Sequence, residues 1–322
     1  KEKIKYIKIM DEKQKITEVI ELEKPITITI WGEYKTNDGR AFNEERNGPD
    51  GVGPTNKFGK TYVSPASYDD YNDADDTYVA WSWKLNGGTT ATNSNGSLTS
   101  TTQANTNGGF SITTYTGNGS VAQSIGHGLS SGAPEFILVK NRSQADAWAV
   151  YHVGIGNSAH LILDTTAAET TSSAYWGSFT PTTTLFKVGS DHKLNASSEN
   201  YVAYLWHSVK GFQKFGSYEG NGNADGPFIY TGFRPRMLFI KRTDSAASWY
   251  VLDTARDTSN PVTTLLSWDS STYESDIGSA NNFDVLSNGL KIRTSGGGLN
   301  GSGGEFVYGA WADVPFKYNN TF

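Results

Sequence analysis

The sequence contains two long segments that match each other block by block and in the same order. Each block recurs 101 to 105 residues after its first copy. The pairs are Gly-Phe at 109 and 211, Tyr-x-Gly-Asn-Gly at 115 and 218, Pro before an apolar run and Lys at 134 and 235, Trp-x-Val at 148 and 249, and Trp at 206 and 311. Chance matches do not keep both order and spacing. We therefore expect two tandem domains of roughly one hundred residues each, at 109–208 and 211–318.

Both segments end on an aromatic, β-branched stretch without Pro, which favours an extended strand. The stretch reads YVAYLW at 201–206 and FVYGAW at 306–311, and a related YVAWSW stands at 78–83. The recurrence predicts that each domain closes on the same strand. The earliest copy suggests that residues 1–85 include a degenerate or truncated third unit.

Composition and patterning favour an all-β fold. The chain has 35 Gly, 9 Trp, 17 Tyr and 15 Phe, and the aromatic content of 13% argues against a disordered chain. The apolar runs at 136–139 and 237–240 fit central strands that are buried on both faces. We expect tandem jelly-roll or lectin-like β-sandwich domains of about seven or eight strands each.

The segments before the repeats differ from them in composition. Residues 1–24 are rich in Lys, Glu and Ile. The alternation of polar and apolar residues favours a short β-meander over a helix, with a bulge at Tyr6-Ile7 and further strands at 15–23 and 26–30. Residues 35–77 are irregular and rich in turn signals. Residues 86–108, rich in Gly, Ser, Thr and Asn, are expected to form a linker, either flexible or laid across a neighbour as a surface strand.

Charge and motif content exclude several classes of function. The net charge of −6 does not fit a nucleic-acid partner, and the absence of Cys excludes disulfides and thiol catalysis. No apolar run approaches a membrane span, and no signal-peptide pattern is present. No P-loop or nucleophile elbow occurs, so no cofactor and no enzymatic activity are expected.

Two groups of side chains are candidates for metal or acid–base sites. The acidic run at 69–76, with Asp73, Asp75 and Asp76, has the oxygen ligands that Ca²⁺ prefers but not the EF-hand spacing, so a solvated loop is favoured over a calcium site. The five His residues fit no metal-binding spacing and have no matching His in the second repeat, so isolated packing or surface roles are expected.

Aromatic side chains outside the repeated blocks are candidates for stacking on sugars. The repeat-matched Trp residues are expected in the core, because they recur where the fold recurs. Four aromatic residues in variable, turn-rich loops are the better candidates for a contact surface: Tyr175, Trp176, Trp268 and Tyr273. Asp253, Asp257, Glu274 and Asp284 supply carboxylates, but nothing in the sequence pairs them across one cleft, as glycoside hydrolysis requires.

Several of the repeated blocks resemble a repeat found in virion proteins of marine tailed bacteriophages. The resemblance spans about residues 78–318 and does not cover residues 1–60. It rests on YEGNGNADGPF at 218–228, TGFRP at 231–235, FIKR at 239–242, LSNGLKIR at 286–293 and AWADVPFK at 310–317, and in the first repeat on TYTGNG at 114–119, GHGL at 126–129 and VKNR at 139–142. It implies a structural or adhesive particle component and carries no catalytic motif.

The expected function is therefore that of a non-enzymatic virion or extracellular protein, such as a tail-fibre, tail-tip or head-decorating component. Its expected partners are other copies of itself, other virion proteins and host-surface glycan. Three alternatives stay open: a carbohydrate-binding adhesin module, a glycan depolymerase, and an extracellular filament subunit in which residues 1–34 donate a strand to the next subunit.

Overall fold

The computed structural model describes residues 6–10, 16–21, 78–85, 88–276 and 282–313. The chain forms two compact units, Lys1–Ser82 and Trp83–Phe322. In the first unit, β1 (Tyr6–Met10) and β2 (Ile16–Glu21) pair antiparallel, as the charge-alternating pattern predicted. The register shift lies between Ile9 and Met10 rather than at Tyr6-Ile7. The expected third strand, at 26–30, lies outside the described residues.

Repeat 1 (residues 109–208) and the two strands that precede it form two antiparallel sheets. The large sheet has the order β10-β9-β8-β7-β12-β5-β4-β3, and the small sheet pairs β11 with β6. The elements are β3 (Ala91–Asn93), β4 (Ser100–Asn105), β5 (Phe110–Thr116), β6 (Gln123–Gly126), β7 (Phe136–Asn141), β8 (Ala149–His152), β9 (Ala159–Ile162), β10 (Thr170–Thr171), α1 (Ser173–Trp176), β11 (Leu185–Val188), α2 (His192–Asn195) and β12 (Asn200–Trp206).

Repeat 2 (residues 211–318) has the same plan in its described residues. Its large sheet has the order β13-β21-β15-β16-β17-β18, and its small sheet has the order β14-β20-β19. The elements are β13 (Gln213–Glu219), β14 (Phe228–Tyr230), β15 (Pro235–Arg242), β16 (Trp249–Asp253), β17 (Thr264–Ser267), β18 (Ser275–Asp276), β19 (Phe283–Leu286), β20 (Gly289–Ile292), α3 (Gly297–Asn300) and β21 (Glu305–Ala312).

The repeated sequence corresponds to a repeated strand order. In each large sheet the last strand of the repeat lies between its first strand and the apolar strand at 136–141 or 235–242. Trp206 pairs with Phe136, and Trp311 pairs with Met237. These registers define which residues of the two repeats are structurally equivalent.

Each repeat encloses its own core between the large and the small sheet. Alternate residues of the central strands point into it, because side chains alternate between the faces of a strand. Repeat 1 buries Ile137, Val139 and Leu205 there, and repeat 2 buries Leu238, Ile240 and Ala310. The all-β sandwich class predicted from composition is confirmed.

Two segments before the repeats sharpen or change their predictions. Of the two forms expected for 86–108, the described part takes that of surface strands, since β3 and β4 extend the large sheet of repeat 1 beyond β5. Small polar residues suit this position, because Ser100 and Thr102 are buried without adding apolar bulk. Residues 78–85 form no strand, so the earliest copy of the closing motif is not a closing strand.

None of the helices in the described ranges has the length and apolar character needed to cross a membrane. All three are four residues long and join strands within the repeats.

Candidate functional site

The two large sheets meet through their outer faces, which are the faces turned away from their own small sheets. Phe136 of β7 lies over two rings of repeat 2, with centroid distances of 5.6 Å to Phe215 and 4.8 Å to Phe239. Trp206 and Trp311, the equivalent closing residues, meet edge to face at 6.3 Å. We call these five residues the aromatic junction.

Trp83 completes the junction from outside the repeats. Its ring lies 5.7 Å from Trp206 and 5.3 Å from Trp311, edge-on to both. Aromatic pairs in such tilted arrangements stabilise a core beyond the area they bury. The YVAWSW motif thus places a Trp between the two closing strands instead of forming a strand of its own.

Gly309 makes room for the junction in the middle of β21. A Cβ atom there would stand 2.3 Å from Cε1 of Phe239 and 2.8 Å from Cε1 of Phe215, so any side chain would collide with both rings. The equivalent residue of repeat 1 is Tyr204, since it pairs with Leu138 as Gly309 pairs with Phe239.

Polar side chains also join the repeats. His152 is fully buried; its Nδ1 accepts from the Gly154 N–H at 3.0 Å, so the proton is on Nε2, which donates to the Tyr308 carbonyl at 3.1 Å. Burial lowers the pKa of His152 to about 4, despite that hydrogen bond. The Gln213 amide donates to the Gly109 and His207 carbonyls at 3.0 and 2.7 Å.

At one edge of the junction, repeat 2 donates hydrogen bonds to the end of β9 and to the segment that follows it. The Trp249 indole N–H donates to the Ile162 carbonyl at 3.0 Å. Lys241 Nζ donates to the Thr166 carbonyl at 3.0 Å and to the Ala247 carbonyl at 2.7 Å. Burial lowers the pKa of Lys241 to about 8, although the charge of Asp269 partly opposes this shift.

A buried Asn in each repeat fixes the Gly-Asn-Gly loop. Asn195 accepts from the Asn118 N–H at 2.9 Å and donates to the Ser120 and Gly189 carbonyls. Asn300 accepts from the Asn221 N–H at 2.8 Å in the same way and donates to the Asn223 and Thr294 carbonyls. Both Asn side chains are fully buried, and we call them the asparagine clamps. Sequence reasoning missed their role, although the repeated Leu-Asn pair was its signal.

Tyr115, which is buried, and Tyr218, which is half-buried, fix the adjoining helical turns. Their hydroxyls donate to the Leu194 carbonyl at 2.8 Å and the Leu299 carbonyl at 2.6 Å. Burial raises the pKa of both tyrosines well above the usual value. The repeated Tyr-x-Gly-Asn-Gly block is therefore explained by folding.

Two of the four predicted contact aromatics are part of the core. Trp176 is only 2% exposed and packs edge-on against Tyr151, while Tyr175 is 6% exposed and stacks on His160. The prediction that Trp176 and Tyr175 form a sugar-contacting surface is wrong. Their loop folds into α1, whose buried face covers the core of repeat 1.

The other two contact aromatics separate from each other. Trp268 is half-buried and packs 5.1 Å from Phe239 and 6.2 Å from Trp249, behind the junction. Tyr273 is 84% exposed. Of the four, Tyr273 alone presents a free ring to solvent.

The predicted calcium ligands Asp73, Asp75 and Asp76 lie outside the described residues. Within the described ranges, no group of three or more His, Cys, Asp or Glu side chains is arranged to hold a metal ion.

The four candidate carboxylates are each held by neighbouring groups. Arg256 pairs with Asp253 at 2.6 Å and with Glu274 at 2.7 Å, and Arg293 pairs with Asp284 at 2.6 Å. Burial alone would raise the pKa of Asp257, but hydrogen bonds from Ser259, Thr263 and Thr264 lower it to about 2. These carboxylates stabilise loops and strand ends of repeat 2.

Comparison with known proteins identifies a family without a described activity. A model for a domain of unknown function, DUF7483, matches residues 34–315. No curated protein and no solved structure matches the sequence. The matched span covers most of the 322 residues and includes both repeats. The chain therefore belongs to the DUF7483 family.

Proposed function

We propose that this protein is a non-enzymatic structural component of a tailed-bacteriophage particle, in a tail fibre, a tail tip or a head decoration. In this role the protein would be located in the virion, outside the host cell. The observation that carries the proposal is the aromatic junction, because this junction joins two sandwich domains into one body. The assignment to a phage particle rests on the resemblance of the repeated blocks to phage virion repeats.

A junction of this kind suits a load-bearing building block. Phe136, Phe239 and Val307 are at most 1% exposed, and His152 adds a buried hydrogen bond across the junction. Interfaces between domains that move relative to each other are generally smaller and more polar. A fixed angle between the two repeats would let each copy set the geometry of an assembly.

The environment of the carboxylates supports a role without catalysis. An acid–base pair in a glycosidase needs one carboxyl group with a raised pKa that faces a second across a cleft. Asp257 instead has a lowered pKa, and Asp253 and Glu274 share one arginine.

The test is to look for the protein in purified particles. Antibody raised against the chain would be applied, with gold labelling, to tailed-phage particles whose genomes encode it, and antibody pre-absorbed with the purified chain is the control. We expect label at a fixed position on the particle and peptides of this chain in its mass spectrum. A chain found in lysates but missing from purified particles would overturn the proposal.

A second candidate function is glycan binding, which is favoured by exposed aromatic rings in repeat 2. Phe228 and Tyr230 on β14 are 43% and 57% exposed, and the Lys214 ammonium lies 5.2 Å from the centre of the Tyr230 ring. Exposed rings of this kind can stack on the apolar face of a sugar. Tyr230→Ala and Tyr273→Ala should each weaken binding to host-surface polysaccharide, with Val121→Ala, a change at another exposed site, as control. Unchanged binding in both tyrosine variants would remove this candidate.

A further inference from the structure

At four equivalent positions, the outer face of the large sheet is covered in repeat 2 and only half-buried in repeat 1, whose Phe136 and Trp206 lie in the junction. Four residues of the repeat 2 face are at most 1% exposed, because repeat 1 lies over them: Phe239, Lys241, Trp249 and Val307. Their register equivalents in repeat 1 are all half-buried: Leu138, Lys140, Trp148 and Val202. This part of the outer face therefore exists in both repeats and is covered only in repeat 2.

The open face keeps the apolar and aromatic character of the covered one. Repeat 2 carries Phe239 beside Gly309, whereas repeat 1 carries Leu138 beside Tyr204. The aromatic ring thus lies on the apolar strand β15 in repeat 2 and on the closing strand β12 in repeat 1. Tyr204 lies 6.1 Å from Trp148, so the aromatic surface is continuous.

The open face also keeps the two hydrogen-bond donors that bind a neighbouring repeat. In both repeats the lysine ammonium lies 6.0 Å from the centre of the matching Trp ring, and it donates to a carbonyl of its own hairpin. In repeat 2, Lys241 and Trp249 donate in addition to the Thr166 and Ile162 carbonyls. Within the described residues, Lys140 and Trp148 have no such second partner.

The segment that supplies those carbonyls also exists twice. Asp164 accepts from the Trp148 N–H at 3.0 Å, and Asp269 accepts from the Trp249 N–H at 2.7 Å. This equivalence places Ser267 where Ile162 stands and Ser271 where Thr166 stands. Ser267 is half-buried and Ser271 is exposed, so the second copy of the segment lies at the surface of repeat 2.

We propose that residues 267–271 of one copy dock on the Lys140, Trp148 and Tyr204 face of a second copy, in the manner of the contact between the two repeats. The occupant is a second copy because the chain carries both halves of this contact, one open on each repeat. The two halves differ, so the contact is head to tail and leaves a free half at each end. This inference rests on the proposed function only in taking the protein to be an assembling component.

Sedimentation velocity of the full chain over a wide range of concentrations tests the proposal. We expect the mass to grow stepwise with concentration. Lys140→Glu places an acceptor against the incoming carbonyls and should weaken association at least about tenfold. Lys214→Glu is the matched control, because Lys214 also lies over an aromatic ring and donates to a carbonyl, that of Tyr230, on a different surface. It should leave association unchanged.

Mixing the Lys140→Glu variant with the wild-type chain distinguishes a head-to-tail contact from a symmetric one. The Lys140→Glu variant retains an intact 267–271 segment, so it should bind the end of a wild-type assembly and stop its growth. Trp148→Phe keeps an aromatic ring in place and removes the indole donor. It should weaken association less than Lys140→Glu does, and it replaces that variant in the test if Lys140→Glu does not fold.

A wild-type chain that stays monomeric at all concentrations would overturn the inference, and so would association that these variants do not change. Neither result would bear on whether the chain is found in virions, which the gold labelling of particles decides separately.

Discussion

The two repeats share what lies inside them and differ in what they present outside. The asparagine clamps, the hydrogen bonds of Tyr115 and Tyr218, and the order of six strands in the large sheet are the same in both. Repeat 1 adds β4 and β3 to that order. On the outer faces, some equivalent positions carry unlike residues, such as Tyr204 and Gly309, whereas others, such as Trp148 and Trp249, are identical. The unlike positions include those where the two repeats pack against each other.

One equivalent pair shows how far the outer faces have diverged. His152 is a neutral, buried imidazole that donates to repeat 2. Its counterpart Asp253 is buried too, but it is an ion-pair partner of Arg256 within its own repeat. All five His residues of the chain belong to repeat 1. The two repeats should therefore respond to acid in different pH ranges.

The largest effect is expected from breaking the aromatic junction. Phe136→Ala removes a ring that is 1% exposed and contacts both repeats, so it should lower the free energy of unfolding by about 3–5 kcal/mol. Urea titration followed by tryptophan fluorescence measures the change. Val121→Ala, at a 71% exposed site, should alter stability by less than about 0.5 kcal/mol. A similar small effect for Phe136→Ala would mean that the repeats do not depend on their contact.

Acidification should destabilise repeat 1 before repeat 2. Burial lowers the pKa of His127 and of His152 to about 4, whereas an unfolded histidine titrates near 6.5. Between these values the unfolded state binds more protons, so stability falls as the pH is lowered from about 6.5 to 4. The loss is up to about 3 kcal/mol for each histidine. Asp244 and Asp257, with pKa values of about 2, contribute stability that is lost only below about pH 4.

Denaturation at a series of pH values, with hydrogen exchange to locate the opening, measures this order. His152→Gln is a neutral replacement and should flatten the slope between pH 6.5 and 4, whatever it does to stability at pH 7. Equal acid sensitivity of the two repeats in that range would contradict the expected difference.

Removing the asparagine clamps should affect the two repeats alike. Asn195→Ala and Asn300→Ala each remove a hydrogen bond from a loop N–H and two hydrogen bonds to buried carbonyls, at a cost of about 1–3 kcal/mol. Thermal unfolding of the single and double variants measures the costs. The losses should add, because the clamps share no contacts. A harmless Asn300→Ala beside a damaging Asn195→Ala would show that the second clamp is redundant.

The smallest effect on stability is expected from removing the hydroxyl groups of Tyr115 and Tyr218. Tyr115→Phe and Tyr218→Phe each remove one hydrogen bond to a helical-turn carbonyl while keeping the ring, at about 1 kcal/mol. The midpoint of urea unfolding should shift by the same amount in both variants. A clear inequality would show that the turn of one repeat carries more of the stability.

Repeated blocks made the strand content predictable, because local patterns of aromatic and β-branched residues reflect local burial. The positions of loop aromatics were not predictable in that way. Trp176 and Trp268 stand in similar turn-rich contexts, yet one completes a core and the other supports the junction. The sequence left open whether the polar segment of β3 and β4 is flexible or a surface strand, because strands that add main-chain hydrogen bonds to an existing sheet need few apolar side chains.

The sequence by itself determined an all-β chain with two tandem repeats that close on the same aromatic strand. Those properties depend on residues near one another along the chain. Only the tertiary structure decided that the repeats meet through their outer faces, that Trp83 lies between the two closing Trp residues, and that part of one outer face stays open. These contacts join residues that are far apart in the sequence, and no local pattern records which face of a sheet finds a partner.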